Sequence, residues 1–298
     1  MSGGSASEAG GRSAASAPRP RGDRPIHPAV AQRPQFIAHR GGAGLYPENT
    51  LFAFRRAVED WAVDAIELDV HATADGHCVV IHDPTVDRTT NGAGRVADLT
   101  LAELQRLDAG YRFTPDDGRT FPYRGLGLRI PTIEEVLAEL PADITLIVEV
   151  KTRAAQAPLF EAVRRAGAEQ RVIAAGMYDA DRDLFSRYPG PVSASMEQIR
   201  RFVILHRLGL WRLWRPPVDV VQMPEYWSGR RVLTPGLVTA LHASGLPVHI
   251  WTVDETADME RLLDWGVDGI LTDRPDRLAA VLVERVGRPA PPGLRASG

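Results

Sequence analysis

The chain has 298 residues, 44% of them apolar and 24% charged, and a net charge of −3. The length suits one large α/β domain, the composition is that of an ordinary globular protein, and the charge gives no pull toward nucleic acid. The single cysteine, Cys78, excludes an internal disulfide and reads as a small core residue.

Residues 1–33 are rich in Gly, Ser, Ala, Pro and Arg and lack an apolar run, so they read as a disordered tail. They carry no hydrophobic signal region, and a cytoplasmic location is the expectation. The first strand, 35–38, ends in His39-Arg40-Gly41-Gly42. A loop with Pro47-Glu48-Asn49-Thr50 follows, in which Asn49 or Thr50 can cap a helix running to Trp61. Residues 65–72 form the next strand. Glu67 and Asp69, two apart, project from one of its faces, while Ile66, Leu68 and Val70 point the other way. After an Asp75-Gly76 turn comes a third apolar run, 79–81, ending in His82-Asp83.

Residues about 84–130 break the pattern. They hold Arg88-Thr89-Thr90-Asn91-Gly92 and a capping box of Thr100 and Glu103. The stretch is too long for an ordinary connection and reads as an insertion covering the mouth of the fold. A helix then starts near Thr132, and strand 144–150 presents Glu149 with Lys151 two residues on. Further strands are read at 172–176, 192–195, 218–222, 248–253 and 269–272, with helical patterns between most of them. Residues 200–215 are basic and contain Trp211 and Trp214. They read either as an outer helix with its tryptophans in the core, or as a helix in weak contact with a membrane surface. The longest uncharged run, 232–253, is broken by Pro235, Gly236, Gly245 and Pro247, and so is helix, turn and strand rather than a membrane span. Residues 287–298 read as a second tail.

Strands alternating with helices point to βα units and a parallel sheet. We expect an α/β fold, a (β/α)8 TIM barrel over residues 34–286, with a small insertion after the third strand region. Nine strand candidates compete for eight places, so one is accessory. A doubly wound open sheet is the rival architecture. Against it, no G-x-G-x-x-G follows the first strand, and polar residues end several different strands, where barrels of this kind build their sites.

Those strand ends supply the chemistry. Glu67, Asp69 and Glu149 form a carboxylate set suited to a hard divalent cation, Mg²⁺ or Ca²⁺, and unsuited to structural zinc. Of 35 basic residues only Lys151 is a lysine, a compact point charge kept beside Glu149. Arg40 and Lys151 can hold phosphate oxygens. His39 and His82 can carry the two proton transfers that phosphodiester cleavage requires.

In order, His39-Arg40-Gly41, Pro47-Glu48-Asn49-Thr50, Glu67-Leu68-Asp69, Asp75-Gly76, His82-Asp83, Pro131-Thr132-Ile133-Glu134-Glu135, Glu149-Val150-Lys151, Trp251-Thr252-Val253 and Gly266-Val267-Asp268-Gly269-Ile270-Leu271-Thr272-Asp273 resemble the motifs of the glycerophosphodiester phosphodiesterase family. The resemblance implies a barrel with a small insertion after the second histidine and metal at Glu67, Asp69 and Glu149. It implies acid/base roles for His39 and His82, phosphate contacts from Arg40 and Lys151, and an apolar substrate wall at Trp251. It also implies hydrolysis of a small glycerophosphodiester to glycerol 3-phosphate and an alcohol. The alternative is a phospholipase D-like enzyme acting on lysophospholipids or sphingolipids. Asp254 departs from the family, which usually has Asn there, and puts an extra negative charge near the mouth.

Overall fold

The computed structural model describes residues 26–31 and 33–295. Seven parallel strands form its sheet: β1 (Gln35–His39), β2 (Ala65–Ala72), β4 (Thr145–Val150), β5 (Val172–Ala175), β6 (Val221–Pro224), β9 (Val248–Trp251) and β10 (Gly269–Thr272). They pair in the order β5-β4-β2-β1-β10-β9-β6. The two ends are joined through residues 192–193, where Val192 bridges Ala174 and Ser193 bridges Val220, both in parallel. The eighth place of the barrel is therefore filled by a stretch too short to rank as a full strand. The accessory candidate is 79–81: β3 (Cys78–Val80) folds back antiparallel on β2, pairing Val80 with Val70.

Period-two alternation sorts each strand into two cores. Phe36, Ile66, Leu68, Val70, Leu146, Val148 and Ile250 face outward and pack beneath the helices. Ile37, Ala65, Ile147, Ile173, Val220 and Leu271 face inward and fill the lumen. The helices are α1 (Leu51–Trp61), α3 (Ile133–Glu139), α4 (Gln156–Arg165), α5 (Met196–Arg207), α6 (Pro235–Ala243), α7 (Thr256–Asp264) and α8 (Pro275–Val286). Their starts are chemically defined. Thr50, not Asn49, caps α1 by accepting the Ala53 N–H, and α3 and α5 open with capping boxes, Thr132 with Glu135 and Ser195 with Gln198.

Between β3 and α3 lies a segment with one short helix, α2 (Leu101–Leu104), and a capping box of Thr100 and Glu103. It is held by a core of its own, in which Val79 and Ile81 meet Val86, Val96, Leu104, Ala109 and Ile130. After β6, the hairpin of β7 (Tyr226–Trp227) and β8 (Arg230–Arg231) turns through Ser228 and Gly229, both with positive φ.

Three readings are revised. The expected N-terminal tail stops short of residue 33, since Pro28–Val30 form a 3-10 turn whose Ala29 and Val30 close the floor of the lumen. Gln35 Nε2 donates to the Ala29 carbonyl at 2.9 Å, and complete burial of a valine stabilises by about 1.5–3 kcal/mol. Residues 1–25 lie outside the described residues. The expected C-terminal tail likewise includes α9 (Pro292–Arg295), where Leu294 packs on the main core and Gly293 abuts the Trp61 ring. Residues 200–215 are not one helix: α5 ends at Arg207, Gly209 turns with φ +72°, and a 3-10 turn covers Trp211–Leu213. Trp211 and Trp214 lean on the core, while Leu208 and Leu213 are 65% and 77% exposed. Among the described residues no helix is long and apolar enough to cross a membrane.

Candidate active site

The chain leaves β1 through three successive left-handed residues, Arg40 (φ +51°), Gly41 (+84°) and Gly42 (+92°). A Cβ at Gly41 would lie 2.8 Å from the Phe54 ring and 2.9 Å from Ala53, so the turn can press against α1 only as glycine. This turn puts the Arg40 backbone N–H on Glu67 Oε2 at 3.2 Å. Asn49, also left-handed at φ +56°, donates from Nδ2 to Asp69 Oδ2 at 2.9 Å and accepts the Asp69 N–H at 3.3 Å. The loop that caps α1 therefore grips the carboxylate strand.

His39, Arg40, Glu67, His82, Glu149, Lys151 and Trp251 line one cavity of about 150 Å³ at the C-terminal ends of the strands. Asp69 lies behind them, 1% exposed. The cavity is also lined by Met177, Met196, Ala175, Ala194 and Leu271, and by the polar Ser193 and Gln222. All eight residues singled out in the sequence thus meet in one place.

Charge is dense here. Ligand oxygens of Glu67, Asp69 and Glu149 come within 4.8 Å of one another. Lys151 Nζ stands 2.9 Å from both Asp69 Oδ1 and Glu149 Oε1, and Arg40 Nε is 3.3 Å from Asp69 Oδ2. Burial raises the affinity of Glu67 for a proton, and the neighbouring Asp69 charge raises it further, well above the usual carboxylate range. Burial also opposes ionisation of Asp69, but Lys151 and Arg40 overcome it and hold that carboxyl below its usual range. His39 is desolvated, which alone would lower it; Glu67 and a hydrogen bond to Asp273 prevail and push it up to about 9.

The donor set fits a hard cation. Three carboxylates converge, and Asp69 Oδ1 is buried without a hydrogen bond of good geometry despite the nearby ammonium. The acidic triad of Glu67, Asp69 and Glu149 could bind a metal.

A profile of the Glycerophosphoryl diester phosphodiesterase family matches residues 39–277. The chain belongs to that family. With it comes the reaction class, phosphoric diester hydrolysis. A glycerophosphodiester phosphodiesterase of Caldanaerobacter subterraneus subsp. tengcongensis is 39% identical over 252 residues, 81% of this chain and 95% of the relative. One of Bacillus subtilis is 33% identical over 261 residues, 80% of this chain and 83% of the relative. Among solved structures, the glycerophosphoryl diester phosphodiesterase domain of an uncharacterized Mycobacterium tuberculosis protein superposes with a TM-score of 0.75. It is 26% identical and covers 84% of this chain and 98% of that domain.

Around the cavity of this family member stand residues that the sequence reading did not single out. Asp273, just past β10, lies 2.7 Å from His39 Nδ1, and Asp83 lies 2.6 Å from His82 Nδ1. Each imidazole therefore has Nδ1 on a carboxylate, and His39 Nε2 stands 3.7 Å from Glu67 Oε2. His71, buried on β2, meets the His82 carbonyl through Nε2 at 3.0 Å. Asp254 does not present a loose charge at the mouth: its Oδ1 accepts from Thr272 Oγ1 at 2.9 Å and from the Asp273 N–H at 2.8 Å, and so braces the partner of His39. Asp83 and Asp273 each follow a strand-end motif, which was the available signal. His71 had none beyond its inward place on β2.

Proposed function

We propose that this chain hydrolyses small glycerophosphodiesters to glycerol 3-phosphate and an alcohol. The observation that carries the reading is the meeting, in one cavity, of two carboxylate-backed imidazoles, two cations and a three-carboxylate cluster. Glu67, Asp69 and Glu149 would hold Mg²⁺ or Ca²⁺, which when bound offsets charge growing on the phosphate oxygens. Arg40 and Lys151 bind and orient the phosphodiester. Trp251, Met177 and Met196 exclude water from the side where the substrate's carbon skeleton lies.

His39 takes the proton of the nucleophile at Nε2, and Asp273 stabilises the imidazolium that results. Part of its raised affinity comes from Glu67, so a cation held by Glu67, Asp69 and Glu149 would lower it toward the range of a working base. His82 gives its proton to the departing alkoxide, and Asp83 keeps its ring in register. The nucleophile is water, or the glycerol 2-hydroxyl by way of a cyclic phosphate; phosphorus NMR of the products separates these routes. Incubating the purified protein with glycerophosphocholine should yield glycerol 3-phosphate, and EDTA should abolish the yield. H39A and H82A should each lose about 10²–10⁴ in kcat. Full turnover in either variant removes that histidine from the scheme.

A second surface bears on the lipid alternative. Ile204, Leu208, Leu210 and Leu213 are all exposed, five arginines accompany them, and no acidic residue lies between Glu197 and Asp219. This combination favours weak adsorption to an anionic lipid surface. Met196, at the start of α5, lines the cavity, whereas the leucines follow its far end, about 18 Å away at 1.5 Å per residue over 12 residues. Adsorption there turns the cavity toward water, which favours soluble diesters over bilayer lipids. Cosedimentation with phosphatidylglycerol vesicles, lost in L208S/L213S with turnover retained, tests the surface. Activity on micellar lysophospholipid exceeding that on glycerophosphocholine would instead support the lipid enzyme.

A further inference from the structure

One side of the cavity's rim is a chain of alternating charges that starts outside the barrel, in the segment between β3 and α3. Arg88 uses all three of its nitrogens on two carboxylates. Nη1 and Nη2 donate to Glu48 Oε2 and Oε1 at 2.7 and 2.8 Å, while Nε and Nη2 donate to Asp83 Oδ2 and Oδ1 at 2.6 and 3.2 Å. Each carboxylate then hands the constraint to a different part of the site. Asp83 Oδ1 is the 2.6 Å partner of His82 Nδ1. Glu48 Oε1 accepts from Arg40 Nη1 at 3.0 Å, and Arg40 Nε reaches Asp69.

Arg88 is itself well placed to act as a fixed point. It sits on a turn between Val86 and Thr90, both fully buried. Thr90 N–H and Oγ1 both donate to the Val86 carbonyl, Val86 N–H donates to the Gly94 carbonyl, and Arg112 Nε ties down the Thr90 carbonyl. Its side chain is nonetheless 47% exposed, so it does not hold up the core. A planar fork with five donors can serve two carboxylates at once; an ammonium with three rotatable donors cannot hold both in register.

We propose that Arg88 is a positioning residue with two separable outputs: through Asp83 it orients His82 for proton delivery, and through Glu48 it holds Arg40 against the substrate phosphate. Arg88's role presupposes the tasks given above to His82 and Arg40. By this link the segment beyond β3 sets both the chemical step and the binding step, although it supplies no group that touches substrate.

The two outputs call for two epistasis measurements. R88A should lower kcat about 10-fold and raise KM several-fold, with thermal unfolding close to that of the unaltered protein. In a D83A background, R88A should cost little further kcat but should still raise KM. In an E48A background the pattern should reverse, with kcat falling and KM no longer rising. R88K should not restore both parameters. Multiplicative losses in both backgrounds, or an R88A enzyme with unchanged kcat and KM, overturn the proposal.

A substrate-free readout separates this from failure of the functional reading. In spectra of protein carrying ¹⁵N-histidine, with the His82 ring assigned by H82Q, R88A should shift or broaden the His82 ring signals and D83A should do the same. If the unaltered protein hydrolyses no glycerophosphodiester, the functional reading falls and this spectrum alone decides the role of Arg88. Unmoved His82 signals in R88A refute it.

Discussion

His249 makes the stability of this barrel depend on pH. It projects from β9 into the lumen, fully buried; its ring lies against Gly269, where an added Cβ would stand 2.8 Å from ring carbon Cδ2. Gln222 Nε2 approaches its Nδ1 at 3.4 Å, and Nε2 has no hydrogen-bond partner among the described residues. Burial, with a smaller contribution from Arg33, drives its affinity for a proton down from 6.5 to about 3. Between these values the unfolded chain binds a proton that the folded chain refuses, so stability rises with pH across the window and is lost as pH falls through it. The slope is about 1.4 kcal/mol per pH unit, and the whole interval amounts to about 4–5 kcal/mol. The perturbation is H249N, which removes the titrating group and keeps a small polar side chain. Urea unfolding of both proteins at intervals from pH 4 to 7 should give curves whose difference in free energy changes by about 1.4 kcal/mol per pH unit below about pH 6 and levels off above the unfolded value of 6.5. Parallel curves would refute the assignment of a neutral, proton-refusing His249.

Three further outcomes follow from the site. Because Glu67 holds its proton well above the usual carboxylate range, a divalent cation binding there must displace it. Affinity for Mg²⁺ or Ca²⁺ should therefore increase with pH, and calorimetry in two buffers of different ionisation heat should register proton release; buffer-independent heats would contradict this. D273N removes one of the charges that raise His39, so the pH–rate limb belonging to His39 should move to lower pH and kcat should fall at least about 10-fold. An unmoved limb would detach Asp273 from His39. G41A must place a Cβ against Phe54 and Ala53 at φ +84°, and should cost more than about 2 kcal/mol in urea unfolding; a smaller loss would mean that α1 yields at this contact.

How much of this could be read in the chain depended on whether a signal was local. The strands were visible because inward and outward cores alternate along them, as in Ile66, Leu68 and Val70 against Glu67 and Asp69. That same alternation could not tell β3 from a barrel strand, since an antiparallel hairpin and a parallel neighbour bury apolar residues alike, and only pairing direction separates them. The lumen plug left almost no trace. Ala29 and Val30 are buried because a barrel has an open lower end to fill, and nothing in a Pro-rich flank announces that.

The site divides along the same line. Groups that end strands two residues apart, or that stand alone in type as Lys151 does among 34 arginines, carried their own mark. Arg88 did not. Its importance lies in the simultaneous reach of one guanidinium to Glu48, 40 residues away, and to Asp83, five away. Among so many arginines that reach has no signature until the chain is folded. The residues proposed to perform the chemistry were thus legible from their positions on strands, whereas those proposed to aim them became visible only through contacts between loops. A variant that keeps every group assigned a chemical role can therefore still misplace His82, and R88A is the one in which the two kinds of residue come apart.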